Sequence, residues 1–165
     1  KRKLCFKNAL VQNFAGGNTM IFNSATKDLI ISSMRNINPV SHDWWIYLLV
    51  AGSGGVVLYD KNPSLLYRQH NKNIMGSNKS LAGKLRRLFK LLDKSFKNYI
   101  DRNLDALNVN IDLLTDENLL VLNHFCRSRR SNIFKRIFFY LRSGVYRQNV
   151  SGNVIFLLLV VFNRI

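Results

Sequence analysis

Apolar positions follow two rhythms along the chain. Up to about residue 78 they come in short bursts broken by turn-forming residues. Asn18 to Asn23 (NTMIFN) follows the Gly16-Gly17 turn signal and reads as a short buried strand. Ser24 is placed to cap a helix through Leu29, Ile30 and Met34, which Pro39 breaks. Ser41 starts the next, carrying Asp43, Trp44, Trp45, Tyr47, Leu48 and Leu49 and ending at Gly52-Ser53-Gly54-Gly55. Val56 to Tyr59 reads as a strand, Lys61-Asn62-Pro63 as a turn and Leu65 to Arg68 as a further strand, so this half is expected to be α/β.

From about Asn78 the period lengthens to that of a helix. Leu81, Leu85, Leu88, Leu92, Phe96, Tyr99, Ile100, Leu104 and Leu107 recur at helical spacing, with Lys84, Arg87, Lys90, Lys94 and Lys97 largely on other faces. Thr115 is a good N-cap, with Asp116 and Glu117 in the first turn where the helix dipole favours acids, and that helix is expected to reach about Cys126. Ser131 opens another through Arg142, closed by Gly144, and a last apolar helix spans Asn153 to Phe162. The expected organisation is therefore residues 1–78 as a mixed α/β unit and 79–165 as a helical, basic region.

Charge sharpens this division. The chain carries 25 Lys and Arg against 9 acids, a net +16. Residues 1–71 hold 8 basic and 3 acidic side chains, and 72–165 hold 17 and 6. Such a surface seeks anions: phospholipid headgroups, nucleotides or nucleic acid. Arg127, Arg129, Arg130, Lys135, Arg136, Arg142 and Arg147 follow one another with no acid among them, interleaved with Phe134, Phe138, Phe139 and Tyr140. Basic residues among aromatics suit an interfacial membrane surface, and equally a nucleic-acid interface. The apolar run from Val154 to Phe162 is short of the roughly 20 residues of a membrane span. Cys5 and Cys126 lie far apart without metal-binding spacing, which points to free thiols in a reducing compartment.

Two polar clusters carry the candidate chemistry. In His42-Asp43-Trp44-Trp45 a carboxylate stands beside two indoles, where it is costly to desolvate without a partner or a task. Tyr67-Arg68-Gln69-His70 adds a guanidinium, an amide and an imidazole. Two such clusters, separated by about a helix-turn-strand unit, are expected to face each other across a cleft.

The order Gly17-Asn18-Thr19-Met20, His42-Asp43-Trp44-Trp45, Val57-Leu58-Tyr59, Pro63-x-Leu65-x-Tyr67-Arg68-Gln69-His70 and Asn73 resembles the C-terminal half of the catalytic domain of family 2 glycosyltransferases, of the GT-A type. Within that family it is most similar to the rhamnosyltransferase-like enzymes that build bacterial O-antigen and other surface polysaccharides. The resemblance covers residues 10–78 well and continues more loosely onward, through Tyr146-Arg147-Gln148. It implies an inverting transfer of a sugar, rhamnose in the nearest relatives, from a nucleotide-sugar donor to a glycan or lipid-linked glycan acceptor. Asp43 is then the general base, Trp44 and Trp45 the apolar walls of the acceptor site, and Gly17, Asn18 and Thr19 the loop beside it. His42 falls in the same substrate-binding set, Arg68 steadies the departing diphosphate, and His70 approaches a divalent metal or the diphosphate. Mg²⁺ or Mn²⁺ is the cofactor the complete enzyme would use, and the location implied is peripheral, on the cytoplasmic face of the bacterial plasma membrane.

Plainer readings stand beside these. Asp43 also fits as a first-turn acid, His42 as a solvated helix-start residue, Arg68 as a partner of Asp60, and His124 as a structural residue. Adjacent indoles cannot both face one ligand, so one is expected in the core and one near the cleft. The DxD motif that holds the metal in such enzymes is absent from the chain, which begins at Lys1. A piece of a longer transferase, inactive alone, is therefore expected. The competing reading from another class is a basic nucleic-acid-binding module using the 80–147 helices.

Overall fold

The computed structural model describes residues 2–14, 16–34, 36–62 and 94–165. Among these residues the chain is helical throughout. Seven α-helices run in order: α1 (Phe6–Ala9), α2 (Ser24–Ser33), α3 (His42–Gly52), α4 (Lys94–Val109), α5 (Asp116–Arg130), α6 (Ile133–Ser143) and α7 (Val150–Val161). Short 3-10 turns occupy Gly17–Thr19 and Ile111–Leu113. The expected strands therefore require correction. The stretch from Asn18 begins as a 3-10 turn, and Met20 to Phe22 and Val56 to Tyr59 form no ladder among the described residues. This overturns the α/β, GT-A expectation for the described part of the chain. A β-rich run becomes a strand only where a neighbour accepts and donates its backbone hydrogen bonds, and here Ile21, Val56 and Leu58 stand 101, 82 and 84% exposed. The expected strand at Leu65 to Arg68, the helix turns before residue 94, and the candidates Arg68 and His70 lie outside the described residues.

Local chemistry sets the helix boundaries. Asn23, one residue before the expected Ser24, caps α2, its Oδ1 accepting the Thr26 N–H at 3.0 Å. Thr115 caps α5 as expected, accepting from the Asn118 N–H at 3.3 Å. Asn132, rather than Ser131, caps α6, accepting from Lys135 at 3.2 Å. Gly144 ends α6 at φ 63°, a left-handed conformation that glycine adopts without steric cost.

One core gathers the helices. Helix α3 packs on α1 and α2, α1 also touches α5, α5 lies against α6, and α6 against α7. Phe96, Ile100, Leu104 and Leu107 form the buried stripe of α4, and Phe125, Phe156 and Leu159 bring in α5 and α7. Tyr99, placed by its spacing with the apolar set, is 40% exposed. Both indoles of α3 enter this core. Trp44 Nε1–H donates to the Ala9 carbonyl of α1 at 2.7 Å, and Trp45 Nε1–H donates to Ser33 Oγ of α2 at 3.2 Å. The expectation of one indole at a cleft is corrected: helices flank α3 on both sides, each offering a buried acceptor. Full burial of a large apolar side chain is worth roughly 1.5–3 kcal/mol, so this pair anchors α3 firmly.

Asn8 of α1 is the polar centre of the core, with no exposed surface. Its Oδ1 accepts from Tyr47 OH at 2.9 Å and from Gln148 Nε2 at 3.0 Å, and its Nδ2 donates to the Tyr146 carbonyl at 2.9 Å. Neighbouring bonds extend the latch. The Gln148 N–H donates to Gln12 Oε1 at 2.8 Å, and the half-buried Arg147 guanidinium donates to the Val11 carbonyl at 2.8 Å. Burial alone lowers the Arg147 pKa. Asn8→Ala would leave the half-buried Gln148 amide and Tyr146 carbonyl without these bonds, while the Tyr47 hydroxyl keeps Cys5, and is expected to cost about 2 kcal/mol of unfolding free energy, read as a lowered urea midpoint.

Burial, then its hydrogen bond with Cys5, push the Tyr146 hydroxyl up to about 12. A raised folded-state pKa on an acid favours the protonated form in the fold. Its contribution is therefore complete below the unfolded value near 10 and is lost as pH climbs through about 12. Thermal melts across that window are expected to show a steeper fall for the wild type than for Tyr146→Phe.

Candidate functional site

The first turn of α3 is held in place before any site chemistry enters. Arg102 of α4 donates to the Asn38 carbonyl at 3.1 Å, to Asn38 Oδ1 at 2.8 Å and to the Pro39 carbonyl at 2.7 Å. Asn103 Oδ1 accepts the Val40 N–H at 3.2 Å. These bonds seat the loop that delivers Ser41, whose hydroxyl makes no capping bond. Asp43 does related work from the first turn, its Oδ1 accepting the Trp44 N–H at 2.8 Å. The other carboxylate oxygen has no hydrogen-bond partner among the described residues, and the side chain is half-buried.

The Gly17–Thr19 turn sits directly on this helix start. A Cβ added at Gly17 would lie 2.0 Å from Nε2 of His42. The missing side chain is thus what allows the turn and the imidazole to meet. Thr19 folds back on Gly16, with its Oγ1 and N–H both donating to the Gly16 carbonyl, at 2.8 and 3.0 Å. Asn18, Thr19 and His42 are exposed. Of the residues singled out from sequence, the structure brings together Gly17, Asn18, Thr19, His42 and Asp43, and directs Trp44 and Trp45 inward.

Beside this cluster opens a cleft of about 810 Å³. Phe14, Ile46, Tyr47 and Val50 form its apolar wall, and Met20 to Asn23 and Val56 to Asp60 line the rest. Gly16 and Thr19 belong to its lining, whereas His42 and Asp43 do not. Phe14 meets Tyr47 edge-on at 4.8 Å and Tyr59 at 6.3 Å. The carboxylate that lines the cleft is Asp60, whose Oδ1 accepts the Asn62 N–H at 2.8 Å. Sequence reasoning treated Asp60 only as a possible partner of Arg68. Its position between the exposed run Val56 to Tyr59 and a turn was the signal for a larger part. Tyr47, at the floor, donates its hydroxyl proton to Asn8, and burial raises its pKa, so it stays protonated.

Among the described residues no three His, Cys, Asp or Glu side chains gather closely enough to hold a metal ion.

Comparison with known proteins supports at most a glycosyltransferase-like relationship, across just under half of the chain. Over 82 residues, 49% of the chain, it is 29% identical to the dTDP-rhamnosyl transferase RfbG of Shigella flexneri, of which that stretch covers 28%. No family model matches the chain, and no solved structure matches it.

Gly17→Ala tests the seating of the turn. The atoms met are the tip of an exposed imidazole, which can swing aside, so stability is expected to change by no more than about 0.5 kcal/mol. The His42 ring resonances should shift in a heteronuclear NMR spectrum. A large loss of stability would mean that the turn and the imidazole are locked as one unit.

Proposed function

We propose that the chain contributes the acceptor side of a glycosyltransferase that moves a sugar, rhamnose by the relative's name, from a nucleotide-sugar to a glycan or lipid-linked glycan acceptor. The observation that carries this reading is the close approach of Gly17 to His42, which sets the Gly17–Thr19 turn over the first turn of α3. Two of the sequence elements that carry the resemblance, the 17–19 loop and the start of α3, thereby become one surface, next to a cleft of about 810 Å³. Similarity to a named rhamnosyl transferase across just under half of the chain points the same way.

Asp43 is the group we assign as general base. One of its oxygens is fixed by the Trp44 N–H, which orients the carboxylate and leaves the second oxygen for an acceptor hydroxyl. As that hydroxyl oxygen bonds to the anomeric carbon, its proton passes to Asp43. The bond from the anomeric carbon to the diphosphate oxygen breaks, and the diphosphate leaves with the electron pair. A single displacement of this kind inverts the anomeric centre. Asp43 is needed because a sugar hydroxyl is a weak nucleophile until its proton is being removed. Asn18, Thr19 and His42 supply hydrogen-bonding groups along the acceptor's path, and the resemblance assigns Arg68 and His70 to the donor diphosphate.

The test is a transfer assay with dTDP-rhamnose in the complete reading frame that carries this sequence. Asp43→Asn is expected to lower kcat by about 10²–10⁴-fold with acceptor KM little changed. Asp60→Asn is the control, expected to alter KM more than kcat. If Asp43→Asn turns over normally and Asp60→Asn is inert, the base is the carboxylate of the cleft.

A further inference from the structure

A second cavity, about 440 Å³, lies along the last turns of α5, far along the chain from the Gly17–His42 cluster. Asn123, His124, Arg127, Arg130 and Ser131 line it, spaced three and four apart so that one face of the helix supplies them. No acid lines it. Of the three arginines ending α5, Arg129 is bound to Asp101, while Arg127 and Arg130 have no carboxylate partner among the described residues. Nδ1 of His124 is buried with no hydrogen-bond partner. Phe139 of α6 organises this edge: its ring stacks with His124 at 6.0 Å, and the Arg127 guanidinium lies 5.6 Å from its centroid. Unpaired guanidiniums beside an imidazole make a receptor for a phosphate group.

What adjoins this receptor narrows the choice of phosphate. Phe139 packs edge-on against Phe138 at 5.3 Å. Phe138 belongs to a stripe of α6, Phe134, Phe138 and Leu141, spaced at four and three residues and 83, 55 and 67% exposed. Exposed Lys135 and Arg142 border it, Arg142 lying 5.9 Å from the Phe138 ring. On α7, packed against α6, Val150, Val154 and Leu158 are a further 81, 54 and 50% exposed. Apolar surface of this extent, rimmed by cations, marks an interaction site. No described helix is long and apolar enough to cross a membrane.

We propose that this face of α5 and α6 docks on the surface of an anionic lipid bilayer, lipid phosphates entering the Arg127–Arg130 cavity and Phe134, Phe138 and Leu141 sinking into the headgroup–acyl boundary. Charge complementarity selects this occupant. A polynucleotide satisfies the arginines but leaves the apolar stripe in water, and a second copy of a chain with net charge +16 brings cations against cations. The inference stands independently of the transferase reading.

The experiment is co-sedimentation of the full chain with vesicles of phosphatidylcholine alone and of phosphatidylcholine mixed with phosphatidylglycerol, with circular dichroism to confirm folding. Binding is expected only to the mixed vesicles. Arg127→Ala with Arg130→Ala should weaken it about 30-fold, and Phe134→Ser with Phe138→Ser at least about tenfold. All four side chains are exposed, so the fold should be retained. Equal binding to neutral vesicles overturns the proposal, as does binding that ignores the phenylalanine change. Binding to single-stranded DNA with a steep log-salt slope and none to vesicles would assign the face to nucleic acid instead. Self-association in sedimentation velocity that the phenylalanine change abolishes would assign it to a second copy.

Discussion

The buried amide of Asn8 is the interaction on which the rest of the arrangement rests. A four-residue helix such as α1 has almost no stability of its own, because nucleation costs more than one turn returns. It persists because Asn8 binds Tyr47 on one side and the 146–148 segment on the other, while Phe6 and Ala9 fill the core around it. An unsatisfied amide there would be expensive, and a fully satisfied one admits few alternative packings. The orientation of α3 follows from this, since Tyr47 and Trp44 both hold α1 from that helix. Its first turn, where Asp43 stands, inherits its position from the same contacts.

Features decided within one turn of helix were legible in the sequence, and those decided across the chain were not. Thr115 and Gly144 mark helix ends where they were expected because a cap and a left-handed residue act on their immediate neighbours. Asn23 and Asn132 each displaced a neighbouring serine by one position, a choice between two competent side chains that spacing does not resolve. The apolar runs at Met20 to Phe22 and Val56 to Tyr59 misled for a different reason. Their composition describes a strand, but a strand is a relation between two segments, and no described segment pairs with them. Asn8 gave no signal either, because its partners lie 39, 138 and 140 residues away.

The candidate site shows the same division. The meeting of Gly17 with His42 was foreshadowed by a glycine in a loop otherwise free to carry a side chain. The inward turn of both indoles was not, because it depends on acceptors contributed by Ala9 and Ser33. The basic residues also separate by partner rather than by number. Arg102, Arg129, Arg136 and Arg147 are spent on carbonyls or a carboxylate within the fold, so the large positive charge overstates how much is available to a ligand.

The clasp between residues 146–148 and residues 8–12 carries a consequence for synthesis. Translation is vectorial, and the partners that complete α1 are separated from it by most of the chain. Until the 146–148 segment leaves the ribosome, Asn8 has Tyr47 alone, and the N-terminal helix can only flicker. At elongation rates of roughly 5–20 residues per second, the nascent chain passes several seconds with Phe6, Trp44 and Trp45 incompletely covered. The early helices thus wait on a segment made about one hundred residues later. Residues 146–148 act as the fastening that ends this wait.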